Sequence, residues 1–164
     1  MDMQSVQLYA RLAGETALNA VIFLVLWLKG LCLVFVPSSW RFKEIQDQVA
    51  LVTGAGSGLG RGLCRRLADR GATVIAVDVN EKGVQETVRL IREAGGQAYE
   101  YVCDISNRQR VLEMASQVLE QVGPVDLLFN NAGVVSGHRF QDISEEDVMR
   151  TFGVNTFANF WVSR

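Results

Sequence analysis

The chain predicts an α/β domain built on a doubly wound parallel sheet, incomplete in its C-terminal half and preceded by an N-terminal hydrophobic helix. Three observations predict it. Short, almost wholly apolar runs, such as Val49-Ala50-Leu51-Val52-Thr53 and Thr73-Val74-Ile75-Ala76-Val77, alternate with longer amphipathic stretches. Runs that are apolar at successive positions suit strands covered on both faces, as in a parallel sheet. Glycine-bearing turns separate strand from helix, the densest being Gly54-Ala55-Gly56-Ser57-Gly58-Leu59-Gly60. Ahead of them, residues 17–36 read ALNAVIFLVLWLKGLCLVFV, interrupted only by Asn19, Lys29 and Gly30.

Taken in order, residues 1–36 form an N-terminal segment, and its apolar run (17–36) is long enough to cross a hydrocarbon core of about 30 Å as a helix. Lys29 interrupts it; the side chain could snorkel, or the segment could lie in the interface or turn back at Lys29-Gly30. A cleaved secretory signal fits less well, because Asp2, Arg11 and Glu15 give the preceding residues no net positive charge. Arg41 and Lys43 follow the run, which favours a cytosolic placement of what comes next. The expectation is a non-cleaved membrane anchor, with Pro37-Ser38-Ser39 opening a linker over residues 37–48.

The domain proper spans 49–164. After the first strand and its glycine turn, residues 61–70 are amphipathic, with Leu59, Leu63 and Leu67 at helical spacing and expected to face the sheet. Gly71 is placed to end that helix. The second strand ends at Asp78, and Asn80 can cap a helix running to about Ala94, before Gly95-Gly96. Residues 98–102 give a third strand. Ser106 and Gln109 have the spacing of a capping box for the next helix. Val111, Met114, Ala115, Val118, Leu119 and Val122 mark its buried face, and Gly123-Pro124 closes it. Residues 125–129 form a fourth strand. Ser144 caps a last helix, whose first turn carries Glu145, Glu146 and Asp147 to suit the dipole.

Right-handed crossovers place these strands in the order 3-2-1-4, a Rossmann-type arrangement. Its switch point lies between the first and fourth strands, where Thr53-Gly54 and Asn130-Asn131 converge, so a ligand is expected there. An anion can sit at the helix N-terminus after the glycine turn, where unpaired N–H groups and the positive dipole end face it. Gly54, Ser57, Gly58, Leu59 and Gly60 are the candidate contacts. Asp78 follows at close to the spacing of about 20 residues at which an acid binds the ribose of a dinucleotide. A 2′-phosphate would meet its charge, which favours NAD over NADP. Asp104 is either a contact to the adenine edge or a turn residue.

Composition narrows the classes. The 164 residues are 49% hydrophobic and 21% charged, which is globular rather than disordered. A net charge of −2 without a Lys/Arg run gives no basis for nucleic-acid binding. Cys32, Cys64 and Cys103 form no CxxC pair, and His138 has no companions, so neither a disulfide framework nor a metal site is expected. The cysteines are expected to be small buried apolar residues.

Thr53-Gly54-Ala55-Gly56-Ser57-Gly58-Leu59-Gly60 has the form TGxxxGxG and resembles the short-chain dehydrogenase/reductase superfamily. Asn130-Asn131-Ala132-Gly133 is similar to that family's NNAG, Asp104 to its adenine-contacting aspartate, and Val154-Asn155 to its active-site asparagine. More narrowly, the apolar N-terminus, the phrase from Asn130 to His138 and Phe160-Trp161 resemble a membrane-associated branch of retinol dehydrogenases and 17β-hydroxysteroid dehydrogenase type 11-like enzymes. The resemblance implies NAD held additionally by Ile105, Asn131, Ala132 and Gly133. It implies a lipophilic alcohol or carbonyl as substrate, and the endoplasmic reticulum membrane or lipid droplets as location, with the domain facing the cytosol. Ser136 and His138, in the loop after NNAG, are candidate substrate contacts. Phe157, Phe160 and Trp161 form an aromatic cluster, and the last helix is a candidate homodimer contact.

The family's chemistry rests on a serine, a tyrosine and a lysine four residues after that tyrosine, and on the asparagine. This sequence has no tyrosine after Tyr101 and no lysine after Lys82, so Asn155 alone of that set is present, in the role of a relay asparagine. The expectation is the cofactor-binding part of a truncated, membrane-anchored oxidoreductase, inactive by itself. The alternative is a non-catalytic membrane-bound nucleotide-binding or interaction protein.

Overall fold

A computed structural model describes residues 3–35 and 43–164, which fall into two units, Met1–Glu44 and Ile45–Arg164. In the first, α1 runs from Met3 to Phe35, so it begins well before residue 17. The preceding residues include the helix formers Gln4, Gln7, Leu8, Ala10, Arg11, Leu12 and Ala13 and contain no proline, so nothing in them ends a helix. The helix continues through Lys29-Gly30, which removes the turn considered at that pair. The stretch Gly14–Leu31 is long and apolar enough to cross a membrane by length and composition. Val36, the last residue of the expected anchor, and the Pro37-Ser38-Ser39 break lie outside the described residues.

The second unit is a four-stranded sheet in the order β3-β2-β1-β4, as the alternation of elements predicts. The strands are β1 (Val49–Thr53), β2 (Thr73–Asp78), β3 (Ala98–Val102) and β4 (Leu127–Phe129). All neighbours are parallel, with Leu51 opposite Ile75 on one side and Leu128 on the other. Helices α2 (Gly58–Ala68), α3 (Glu81–Glu93) and α4 (Arg108–Gln121) form the crossovers.

Because successive strand residues point to opposite faces, an all-apolar strand feeds two cores. Ala50, Val52, Val74 and Ala76 pack with Cys64, Leu67, Val84, Val88 and Ile91 from α2 and α3. Leu51, Ile75 and Val77 pack with Val111, Met114 and Val118 of α4 on the other side. Ile75 and Val52 are fully buried, and burial of each such side chain stabilises by about 1.5–3 kcal/mol.

Several local expectations change. Leu59 is 86% exposed rather than on the sheet-facing stripe, because it lies in the first turn of α2, beyond the edge of the sheet; Cys64 and Leu67 form the buried face. The cap of α4 is Asn107, whose Oδ1 accepts from the N–H of Gln109 at 3.0 Å and of Arg110 at 3.2 Å. Ser106 is not the cap, since its N–H and hydroxyl both donate to Asp104 Oδ1, at 3.0 and 2.7 Å. On α4, Leu119 is 64% exposed and Ala115 is exposed as well, facing a groove beside β4. β4 starts at Leu127 rather than at 125: Asp126 takes the Val49 N–H with its carboxylate at 2.9 Å, ahead of the regular ladder.

Beyond β4, a short 3₁₀ turn at Phe140–Asp142 leads to α5 (Glu145–Phe152), whose cap is Ser144; its Oγ accepts from the Asp147 N–H at 3.1 Å. A π-helical turn, Gly153–Phe157, joins α5 to α6 (Ala158–Val162). Trp161 packs against the second core with the Arg108 guanidinium 5.7 Å from its ring centre, while Phe157 and Phe160 are exposed.

Candidate nucleotide site

The carboxyl ends of β1 and β4 are stitched together by Thr53, which is 1% exposed. Its Oγ1 accepts the N–H groups of Asn131 and Ala132, both at 3.1 Å, and donates to Phe129 O at 3.3 Å. In return the Asn131 amide donates to Thr53 O at 2.9 Å and Gly54 O at 3.3 Å. Asn131 thus supports the floor of the crevice from below. The sequence places Thr53 at this crevice without naming it among the contacts; the structure makes its hydroxyl the tie between the two strand ends.

This stitching demands glycine. Gly54 has φ +68°, and a Cβ on it would lie 2.8 Å from the Ala132 backbone. A Cβ on Gly60 would lie 2.0 Å from the Gly54 carbonyl oxygen, so α2 can abut β1 only through a bare backbone. The outer side of the loop is free of side chains: nothing stands within 4 Å of a Cβ built on Gly58. Ser57, Gly58 and Leu59 are exposed at the N-terminus of α2. Ser57 occupies the cap position with extended backbone, yet its hydroxyl makes no cap hydrogen bond, and no acidic side chain stands in the first turn. The positive end of α2 is therefore left to an anion from outside the helix.

Asp78 ends β2 beside this loop. Its Oδ2 accepts the Gly56 N–H at 2.8 Å and its Oδ1 the Asn80 N–H at 2.9 Å. A carboxylate has about four lone-pair sites, so two further donors can still be accepted. Asp78 also lines a cleft of about 390 Å³ together with Gly54, Asp104, Ile105, Ala132 and Gly133. Asp104 closes a turn onto Ser106 and lines the cleft wall. Cys103 lines the same wall; burial first, and then the Asp104 charge, raise its thiol above the ordinary range, so it stays neutral.

Arg150, which the sequence did not single out, and Val154, the neighbour of Asn155 in the family-like pair, complete the cleft from the C-terminal helices. Asn155 sits in the π-helical turn, where its Oδ1 accepts the Val134 N–H and its Nδ2 donates to Val134 O, both at 2.9 Å. It clamps the irregular segment leaving the crevice at both its N–H and its carbonyl, as a neighbouring β-strand would. Ser136 and His138 lie further along that loop, outside the residues that line the cleft.

The donors and acceptors match a dinucleotide. The open end of α2 could take a phosphate, the Asp78 carboxylate could accept hydroxyl donors, and the Asp104-Ile105 wall leaves room for a flat group. Comparison with known proteins leads to the same place. Residues 48–164 match the short chain dehydrogenase family model. Over 148 residues the chain is 41% identical to short-chain dehydrogenase/reductase family 16C member 6 of Bos taurus, covering 90% of this chain and 46% of that protein. It is 39% identical over 151 residues to epidermal retinol dehydrogenase 2 of Mus musculus, covering 90% of this chain and 49% of the relative. The chain therefore spans about half the length of these relatives.

Among solved structures, a short-chain dehydrogenase/reductase from Burkholderia phymatum in complex with NAD superposes with a TM-score of 0.71 at 37% identity, over 75% of this chain and 44% of that one. A metagenomic short-chain oxidoreductase in complex with NADP gives 0.69 at 31% identity, over 73% of this chain and 55% of that one. Glycine turn, NNAG crevice, sheet order and these likenesses agree: the chain belongs to the short-chain dehydrogenase/reductase family, and it is similar to retinol and steroid dehydrogenases within it.

Proposed function

We propose that this chain is the NAD-binding part of a membrane-associated oxidoreductase that moves hydride between NAD(H) and a lipophilic alcohol or carbonyl of retinoid or steroid type. The observation that carries the choice of cofactor is Asp78, a carboxylate at the end of β2 with acceptor capacity left after binding Gly56 and Asn80. Ribose hydroxyls would donate to it, whereas a 2′-phosphate would bring a second negative charge against it. The Ser57–Gly60 turn would hold the pyrophosphate, and Asp104, Ile105 and Val79 would wall the adenine. When bound, the nicotinamide supplies the hydride acceptor or donor. The protein's part is to orient that ring against the crevice floor made by Thr53, Asn131 and Ala132.

Support for the membrane comes from the Gly14–Leu31 stretch of α1, and support for a lipophilic substrate from the similarity to epidermal retinol dehydrogenase 2 and 17-beta-hydroxysteroid dehydrogenase 13. The reading extends to a cytosol-facing domain at the endoplasmic reticulum or a lipid droplet, and to self-association through the exposed Phe157 and Phe160. Within these residues no tyrosine follows Tyr101 and no lysine follows Lys82, which favours a second reading for this chain taken alone: nucleotide binding without turnover.

Calorimetry on the chain in detergent tests both. The expected result is NAD binding at least about tenfold tighter than NADP, a difference of about 1.4 kcal/mol. No NADH should form on adding retinol. Equal or tighter binding of NADP would overturn the choice of cofactor, and steady turnover would overturn the second reading. Co-flotation with phosphatidylcholine vesicles that is lost on deleting residues 14–31 tests the membrane assignment.

A further inference from the structure

The two N–H groups and two carbonyls of Ala55 and Gly56 are all hydrogen-bonded within the protein. The Ala55 N–H donates to Val77 O at 3.0 Å and the Gly56 N–H to Asp78 Oδ2 at 2.8 Å. Their carbonyls are taken from the opposite side. Thr87 of α3, fully buried, donates its Oγ1 proton to Ala55 O at 2.8 Å, and the Arg61 guanidinium donates through Nη2 to Gly56 O. The same Nη2 reaches Gly83 O at 3.3 Å, and Arg61 Nε donates to Thr87 Oγ1 at 3.0 Å. Gly83 is pressed so close that a Cβ on it would lie 2.8 Å from Gly56 O. One planar fork from the first turns of α2 thus reaches three acceptors on the loop and on α3, a geometry that a lysine ammonium on a flexible stem does not reproduce.

A trans peptide holds its C=O and the following N–H in opposite directions. Drawing Ala55 O toward Thr87 therefore aims the Gly56 N–H at Asp78. Drawing Gly56 O toward Arg61 aims the Ser57 N–H away from α3, to the exposed end of α2. We propose that Arg61 is a positioning residue for phosphate: its guanidinium, seated on Thr87 and Gly83, sets the 56–57 peptide so that the Ser57 N–H faces the pyrophosphate. This rests on the nucleotide reading above and goes beyond it, because it makes phosphate affinity depend on α3.

The test is Arg61→Lys in the full chain in detergent, with binding of NAD, ADP and adenosine measured side by side and the melting temperature recorded. Lysine keeps the charge and loses the fork. The expected result is a loss of about tenfold or more in NAD and ADP affinity, since hydrogen bonds to charged groups are each worth about that much. Adenosine, which carries no phosphate, keeps its affinity. Equal losses for all three ligands, tracking a fall in melting temperature, mean a merely structural brace and overturn the proposal. Unchanged NAD affinity in Arg61→Lys also overturns it while the nucleotide reading stands. Failure of the wild-type chain to bind NAD or ADP overturns that reading and the proposal with it. The isosteric Thr87→Val, which removes the seat of Nε, serves as the second variant should Arg61→Lys not fold. It is expected to reproduce the selective loss, and Thr87→Ser, which keeps the hydroxyl, to restore wild-type binding; equal affinities in Val and Ser variants overturn the proposal.

Discussion

The Asp78 carboxylate accepts the Gly56 N–H at 2.8 Å, so the residue proposed to bind the ribose also fixes the shape of the glycine loop. Its other oxygen holds the Asn80 N–H at 2.9 Å, at the cap of α3. Exchange at this position therefore does more than change a charge. Asparagine offers one acceptor oxygen, so Asp78→Asn must give up one of the two backbone donors. NAD affinity is expected to fall by about tenfold or more, in line with the loss of a charge-assisted hydrogen bond. The NAD-to-NADP ratio should narrow mainly because NAD binds worse. Calorimetry with both nucleotides checks this, and a variant that gains NADP while keeping NAD would contradict the double role.

Three glycines of the α2 region have three different reasons to exist, and alanine separates them. Gly60→Ala places a methyl 2.0 Å from the Gly54 carbonyl oxygen, where only movement of the backbone relieves the clash. It should cost about 3 kcal/mol or more and abolish nucleotide binding. Gly58 has open space around it but a φ of +51°, so Gly58→Ala should cost about 1–2 kcal/mol of strain. Gly62 lies inside the helix with nothing within 4 Å, and Gly62→Ala should stabilise by about 1 kcal/mol through helix propensity. Urea midpoints of the three variants should follow that order.

The sheet was legible because β1, β2 and β4 are almost wholly apolar, a pattern that suits strands covered on both faces, while β3 at the edge carries Glu100 and an exposed Val102. Asp78 and the NNAG turn were legible because they act at the ends of those strands. What escaped was set by tertiary register. Strand order brings Thr53 to Asn131, as expected, but Arg61 meets Thr87 only after α2 and α3 are in place, and no local periodicity marks that pair. The misplaced α4 cap has a local cause instead. Ser106 and Asn107 are adjacent and both able to cap, and the carboxylate of Asp104 captures the serine.

Asn155 holds both the N–H and the carbonyl of Val134, so its side chain does the work of a strand edge for the chain leaving the crevice. Asn155→Asp keeps the acceptor for the N–H but sets a carboxylate oxygen against the Val134 carbonyl. Asn155→Ala removes both bonds without adding repulsion. Hydrogen exchange at the Val134 amide should therefore quicken in both variants by about tenfold, the equivalent of one net hydrogen bond. Peptide-resolved exchange followed by mass spectrometry measures this, and unchanged protection of Val134 in both would show that the clamp is redundant with the packing of Val154.

Burial raises the Cys64 thiol from an ordinary 9.0 to about 12, desolvation outweighing a backbone hydrogen bond. The sign of the effect on stability follows from proton counting. Between those two values the unfolded chain has released this proton and the folded chain has not, so rising pH favours unfolding; below them both states hold the proton and the term vanishes. The expected slope from this one group is a loss of about 1.4 kcal/mol per pH unit within that window. Cys64→Ala should be less stable than the wild type at pH 7, because it leaves a small void in the core between α2 and the sheet. It should also lose less stability between pH 9 and pH 10.5, since the titrating group is gone. Urea titrations of both proteins across that range give the two slopes, and parallel curves would mean that the thiol is reached by solvent in the folded chain.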